Sequence, residues 1–218
     1  MQTLNFDRAL GRGGTLLALG AHSDDIEIGC GGTILTLLRR YPKLKVWWVV
    51  LGASGRRAAE AEASARDFLR GTDRRRVVVK GFRDGFLPYT GVEVKEFFEE
   101  LKREVAPDLI LTHQMHDRHQ DHRLICDLTW NTFRDHLILE YEVPKYDGDM
   151  GAPNVFIHVD KRTAEKKVAL LTKHFGTQRS KHWFDRETFM GLMRLRGIES
   201  GARSLYAEAF YSRKAVLL

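Results

Sequence analysis

Along this chain, short continuous apolar runs alternate with longer segments whose apolar positions recur every three or four residues. Continuous runs mark strands buried on both faces, and the three-to-four spacing marks amphipathic helices that cross between them. Strands are predicted over Thr15 to Gly20, Lys45 to Leu51, Arg76 to Lys80, Asp108 to Thr112 and Val155 to Val159. Helices are predicted over Gly32 to Arg40, Arg57 to Leu69, Val92 to Val105, Asp121 to His136 and Thr163 to His174. A further helix is expected over Asp185 to Arg196 and a final strand over Glu208 to Val216. Such alternation builds a Rossmann-like three-layer α/β fold with a mostly parallel central sheet, and the strand order 3-2-1-4-5 is expected. No repeat or linker interrupts the pattern, so residues 1–218 are read as one domain.

That topology assigns a place to the chemistry. Ligands of open α/β sheets bind beyond the carboxyl ends of the strands where the strand order reverses, here between the first and fourth strands. The first strand ends in the stretch ALGAHSDDIEIGCGG, with His22, Asp24, Asp25 and Glu27. The fourth runs into HQMHDRHQDHR, where His113, His116, His119 and His122 lie among Asp117 and Asp121. Imidazole nitrogens and carboxylate oxygens are zinc ligands, and a catalytic zinc uses three of them and leaves a position for water. Helix capping by Asp24 or Asp25 is the plainer alternative, but capping needs one such residue and gives no reason for His22. The glycines do not complete a dinucleotide fingerprint, because Ile34 stands where G-x-G-x-x-G requires glycine.

Composition narrows the choices further. The chain has 218 residues, 43% of them hydrophobic, enough for one sizeable core. No window approaches a membrane span and the first residues lack the apolar core of a signal peptide, so a cytoplasmic protein is expected. The two cysteines, Cys30 and Cys126, have no metal-pair spacing. The net charge of +6 comes from basic residues scattered along the chain, which argues against nucleic acid as a partner and suits a small anionic substrate equally well.

The segments AHSDDIEIGCGG and DRHQDHR, with PDLILTH between them and YAEAF near the end, resemble the PIG-L (LmbE-like) deacetylases. The resemblance implies hydrolysis of an N-acetyl group on an N-acetylglucosamine-type sugar conjugate, with Zn2+ as cofactor. It makes His22, Asp25 and His122 the zinc ligands and Asp24 the general base. It also places a protonated His119 near the substrate carbonyl, with Asp121 orienting it. Ser23 and Gln120 depart from the prolines usual in the two motifs. Glu27 takes no role from the family and is read as a helix-start carboxylate or a partner behind the ligands. Arg56 and Arg57 on the rim, and Tyr141 and Tyr146 in a long turn-rich stretch from Tyr141 to Asn154, are the candidate substrate contacts. An amidase acting on a larger acyl or thiol conjugate, a non-catalytic carbohydrate or nucleic-acid binding module, and a homo-oligomer remain compatible with the residues.

Overall fold

The computed structural model describes residues 3–216. Seven strands form one sheet: β1 (Thr15–His22), β2 (Lys45–Gly52), β3 (Arg75–Val79), β4 (Leu109–His113), β5 (Ile138–Tyr141), β6 (Val155–Val159) and β7 (Tyr206–Tyr211). Their order is β3-β2-β1-β4-β5-β7-β6, which contains the expected 3-2-1-4-5. The first five pair in parallel, and β7 runs antiparallel to both β5 and β6. The helices are α1 (Asp7–Leu10), α2 (Asp25–Arg40), α3 (Gly55–Phe68), α4 (Gly91–Glu104), α5 (Gln120–Thr132), α6 (Lys161–His174) and α7 (Arg186–Glu199).

Alternation along each central strand divides the interior into two layers. Leu16 and Ala18 of β1, Trp48 and Val50 of β2, and Leu111 of β4 face the layer that α2, α3, α6 and α7 cover. Leu17, Leu19 and Ala21, with Val49, Leu51 and Ile110, face the other layer, where Phe97 and Phe98 of α4 and Ile125 of α5 pack. Both sheet faces are therefore buried, and this is why the strands read as continuous apolar runs rather than as alternating ones. Among the described residues no helix is long and apolar enough to cross a membrane.

Three boundaries differ from expectation for identifiable reasons. α2 begins at Asp25 instead of Gly32, because Gly29, Gly31 and Gly32 lie within the helix where neighbouring groups press on the backbone. α5 ends at Thr132, and the four-residue β5 follows it; Glu140 in that strand conceals the apolar run, its carboxylate being buried against Arg213 and the Trp130 indole. The last strand spans Tyr206–Tyr211 because only this part pairs with β6 and β5.

Candidate metal centre

His22 is the last residue of β1, Asp25 the first of α2, and His122 lies in the first turn of α5. β1 and β4 are neighbours, so the crevice between the starts of α2 and α5 brings the three together. His22 Nδ1 lies 3.1 Å from His122 Nε2 and 3.3 Å from Asp25 Oδ2, and the third side of the triangle, His122 Nε2 to Asp25 Oδ2, measures 3.4 Å. Ligands at zinc bond lengths in a tetrahedron stand about 3.3 to 3.5 Å apart, so these donor atoms form one face of such a site. His113 Nε2 also lies 3.3 Å from Asp25 Oδ2, but it accepts the Ala21 N–H at 3.0 Å and is thereby occupied.

Carboxylates stand behind the imidazoles. His22 Nε2 is 3.1 Å from Asp121 Oδ2 and 3.0 Å from Asp84 Oδ1, and His122 Nδ1 is 2.8 Å from Asp117 Oδ2. Such contacts fix the ring orientation and leave the opposite nitrogen to bind a metal. Burial opposes ionisation of Asp25, yet the charges of His122, His22 and His113 hold its carboxyl well below the usual range. Burial likewise works against a charged His22, but Asp25, then Asp121 and Asp84, hold its pKa well above the ordinary histidine value. A socket that holds a proton on a buried imidazole in this way is one from which a divalent cation displaces it.

Asp24 is buried beside the triangle and belongs to none of its edges. Its side chain makes no capping bond to α2, so capping does not account for it. Ser23 Oγ donates to Asp24 Oδ1 at 3.3 Å, and Arg57 Nη2 is 3.7 Å from the same oxygen. Burial, reinforced by the charge of Asp25, pushes the Asp24 carboxyl up to about 6, with Arg57, His22 and Lys181 pulling the other way. A carboxylate of that basicity can take a proton near neutral pH. Glu27 is fully buried in the first turn of α2 with neither oxygen hydrogen-bonded, and burial pushes its pKa well above the carboxylate range.

The structure corrects two expectations about the second motif. Asp121 does not orient His119 through its carboxylate, which accepts from the Gly85 and Leu87 N–H groups at 2.7 and 3.2 Å and faces His22. Nor is a protonated His119 favoured: burial, then the charge of His22, lowers its pKa. Its Nδ1 accepts the Asp121 N–H at 3.2 Å as the cap of α5, so a neutral ring carries its proton on Nε2.

Among the candidate substrate contacts, Tyr141 is displaced outright. It is a fully buried residue of β5 whose hydroxyl donates to Leu19 O at 2.6 Å, so it is not in a covering loop. Arg57 joins the site, with Nε donating to Ser23 Oγ at 3.2 Å and Nη1 paired with Asp84. Arg56 does not: it extends along α3 to Glu60 and is 76% exposed. Tyr146 is exposed with its ring 4.9 Å from that of His182, and the adjacent Lys145 reaches Asp117 Oδ2 at 2.9 Å, which tethers this loop to the site. His116 is exposed and takes no part.

Sequence reading left Asp117 without a role and did not single out Asp84. Asp117 stood five residues before His122 in a histidine-rich stretch, a legible signal. Asp84, in the turn RDGF after β3, carried none, because only the fold brings it to His22.

Residues 17–133 match the family model described as PIG-L, GlcNAc-PI de-N-acetylase. The chain is 27% identical over 166 residues to the uncharacterized deacetylase YaiS of Escherichia coli, covering 73% of this chain and 89% of that protein. Its fold is similar to that of the N,N'-diacetylchitobiose deacetylase from Pyrococcus horikoshii, with a TM-score of 0.73, 21% identity, and coverage of 95% of this chain and 86% of that one. A 4-carboxy-2-hydroxymuconate hydratase from Pseudomonas putida is similar to the same degree, with a TM-score of 0.73, 20% identity, and coverage of 94% of this chain and 98% of that one. At such identities the solved structures establish the fold, and the chemistry is argued from the site.

Proposed function

Because this chain belongs to the PIG-L family, we propose that it is a zinc-dependent hydrolase that removes the N-acetyl group from an N-acetylglucosamine-type sugar conjugate. The observation that carries this reading is the triangle of His22 Nδ1, Asp25 Oδ2 and His122 Nε2, with sides of 3.1 to 3.4 Å and a buried, non-ligating carboxylate, Asp24, beside it. Three ligands that leave a position for water, and a separate base, are the parts with which a metal hydrolase attacks an unactivated amide. The single domain expected over residues 1–218 and a cytoplasmic setting belong to the same reading.

His22, Asp25 and His122 would hold the metal, which when bound lowers the pKa of water to about 7 and polarises the acyl carbonyl as a Lewis acid. Asp24 takes the proton of the attacking water, a step worth typically about 10²- to 10⁴-fold, and returns it to the amine nitrogen as the C–N bond breaks and acetate leaves. His119 Nε2–H donates to the oxygen that becomes negative as the carbonyl is attacked; one such donor contributes about 3 to 4 kcal/mol. Asp117 and Asp121, each behind a different ligand, keep the imidazoles in the productive tautomer and orientation. Arg57, between Ser23 and Asp84 on the rim, and Tyr146, next to Lys145 on the tethered loop, are the side chains proposed to meet the sugar hydroxyls.

The test is a comparison of N-acyl substrates on protein reconstituted with zinc, with release of free amine as the readout. N-acetylglucosamine conjugates should be cleaved, and the same sugars carrying bulky acyl groups should be cleaved at least about tenfold more slowly. Preference for the bulky acyl group would instead establish an amidase acting on larger conjugates.

A further inference from the structure

α2 is interrupted five residues after its start. Cys30 has φ −143° and ψ 15°, outside the helical region, and divides the helix into a short turn carrying Asp25 and a long segment running to Arg40. In an unbroken helix the N–H of Gly32 would bond to the carbonyl of Ile28. Here Gly32 N–H donates to Glu208 Oε1 at 2.8 Å, and Thr33 N–H donates to Glu208 Oε2 at 2.6 Å. The Ile28 carbonyl accepts from Lys167 Nζ at 2.6 Å. Lys167 and Glu208 are themselves paired at 2.6 Å, each side chain 3% exposed. An ion pair from α6 and β7 therefore occupies the gap in the hydrogen-bond ladder, its anion on the orphaned donors and its cation on the orphaned acceptor.

The local sequence is adapted to this arrangement. A Cβ on Gly32 would sit 3.0 Å from Glu208 Oε1, and one on Gly29 would sit 2.1 Å from the Tyr141 ring. Burying two charges is expensive, and a well-packed apolar pair commonly holds a fold as well or better. What an apolar pair cannot do is satisfy Gly32, Thr33 and Ile28 with the helix broken at that point. The break frees the direction of the first turn from the axis of the rest of α2, and that turn bears Asp25 with Asp24 at its entrance. Neither Lys167 nor Glu208 lies within residues 17–133, the segment that matches the family model.

We propose that Lys167 and Glu208 are a positioning pair that aims the first turn of α2, placing Asp25 as a metal ligand and Asp24 as the base. This rests on the metal-hydrolase reading above. The test is the zinc dissociation constant, measured by chelator competition, alongside the thermal midpoint of the metal-free protein, for wild type, Glu208→Gln and Lys167→Met. Each variant should bind zinc at least about tenfold more weakly. At saturating zinc, kcat should fall at least about tenfold with KM within about twofold. Asp67→Asn serves as the control, because it loosens α6 from α3 by removing the negative charge that pairs with Lys173 and His174. It should lower the thermal midpoint and leave the zinc constant within about twofold.

Should Glu208→Gln and Lys167→Met fail to fold, Gly32→Ala presses on the Glu208 carboxylate with both charges kept, and it should weaken zinc binding at least about threefold. A zinc constant unchanged in the folded variants, with only the thermal midpoint lowered, would overturn this inference alone. Failure of the wild type to bind zinc would overturn the metal reading and this inference with it.

Discussion

Nδ1 of His122 donates to the carboxylate of Asp117 at 2.8 Å, and this bond turns Nε2 of the same ring toward His22 and Asp25. The direction of donation is set by Asp117: burial raises its pKa, but the bond to His122 and the charges of His122, His113 and Lys145 together hold the carboxyl well below the usual range, so it accepts. Removing a carboxylate behind a metal-bound histidine typically costs about 10- to 100-fold in metal affinity or activity. Asp117→Asn should therefore weaken zinc binding by about that factor in chelator competition, with activity largely recovered at high zinc. Unchanged affinity would reduce Asp117 to a loop anchor for His119 N and Lys145.

Asp24 and His122 should separate metal binding from chemistry. Asp24→Asn is expected to retain one zinc per chain while turnover falls about 10²- to 10⁴-fold. His122→Ala should lose the metal, since one corner of the triangle disappears. Metal content by elemental analysis and acetate release, measured on the same preparations, check both; loss of zinc from both variants would contradict the division of roles.

The pKa of Asp24 gives an independent test of its position. In the metal-free protein its carboxyl is pushed up to about 6 by burial and then by Asp25. A cation bound by Asp25 favours the charged form of the neighbouring carboxylate, so zinc should move the titration downward. The base is active when ionised; on the acid side, kcat/KM should fall through the zinc-loaded pKa, below about 6. Carbon NMR of labelled aspartate, with and without zinc, reads the shift, and movement upward on zinc addition would contradict the assigned geometry.

Tyr141 distinguishes the buried from the loop reading of that residue. Tyr141→Phe removes the donor to Leu19 O, leaving a buried carbonyl short of a partner at a cost of about 1 to 3 kcal/mol. Denaturant unfolding should show that loss while KM for the sugar stays within about twofold. A large rise in KM at unchanged stability would restore Tyr141 to the substrate surface.

Much of the fold was legible because the central strands are buried on both faces. Their apolar runs announced β1, β2 and β4, and the expected reversal between β1 and β4 placed His22 and His122 in one crevice. What sequence could not show was interaction between distant segments. β5 was hidden by Glu140, whose burial depends on Trp130 of the preceding helix and on Arg213 far along the chain. The break in α2 depends on Lys167 and Glu208, and the approach of Asp84 to His22 depends on the turn after β3. The role expected of Asp121 failed for a related reason. The family resemblance implied that it orients His119, whereas the helix start directs its carboxylate to the Gly85 and Leu87 amides.

The most direct measurement is the zinc content of the purified, reconstituted protein, paired with acetate release from a panel of N-acetylglucosamine conjugates. One zinc bound per chain, with acetate released and release abolished by a chelator, is the expected result. Failure to take up zinc or any other divalent metal, or acetate release indifferent to the chelator, would contradict the assignment of His22, Asp25 and His122 as the centre of a hydrolase.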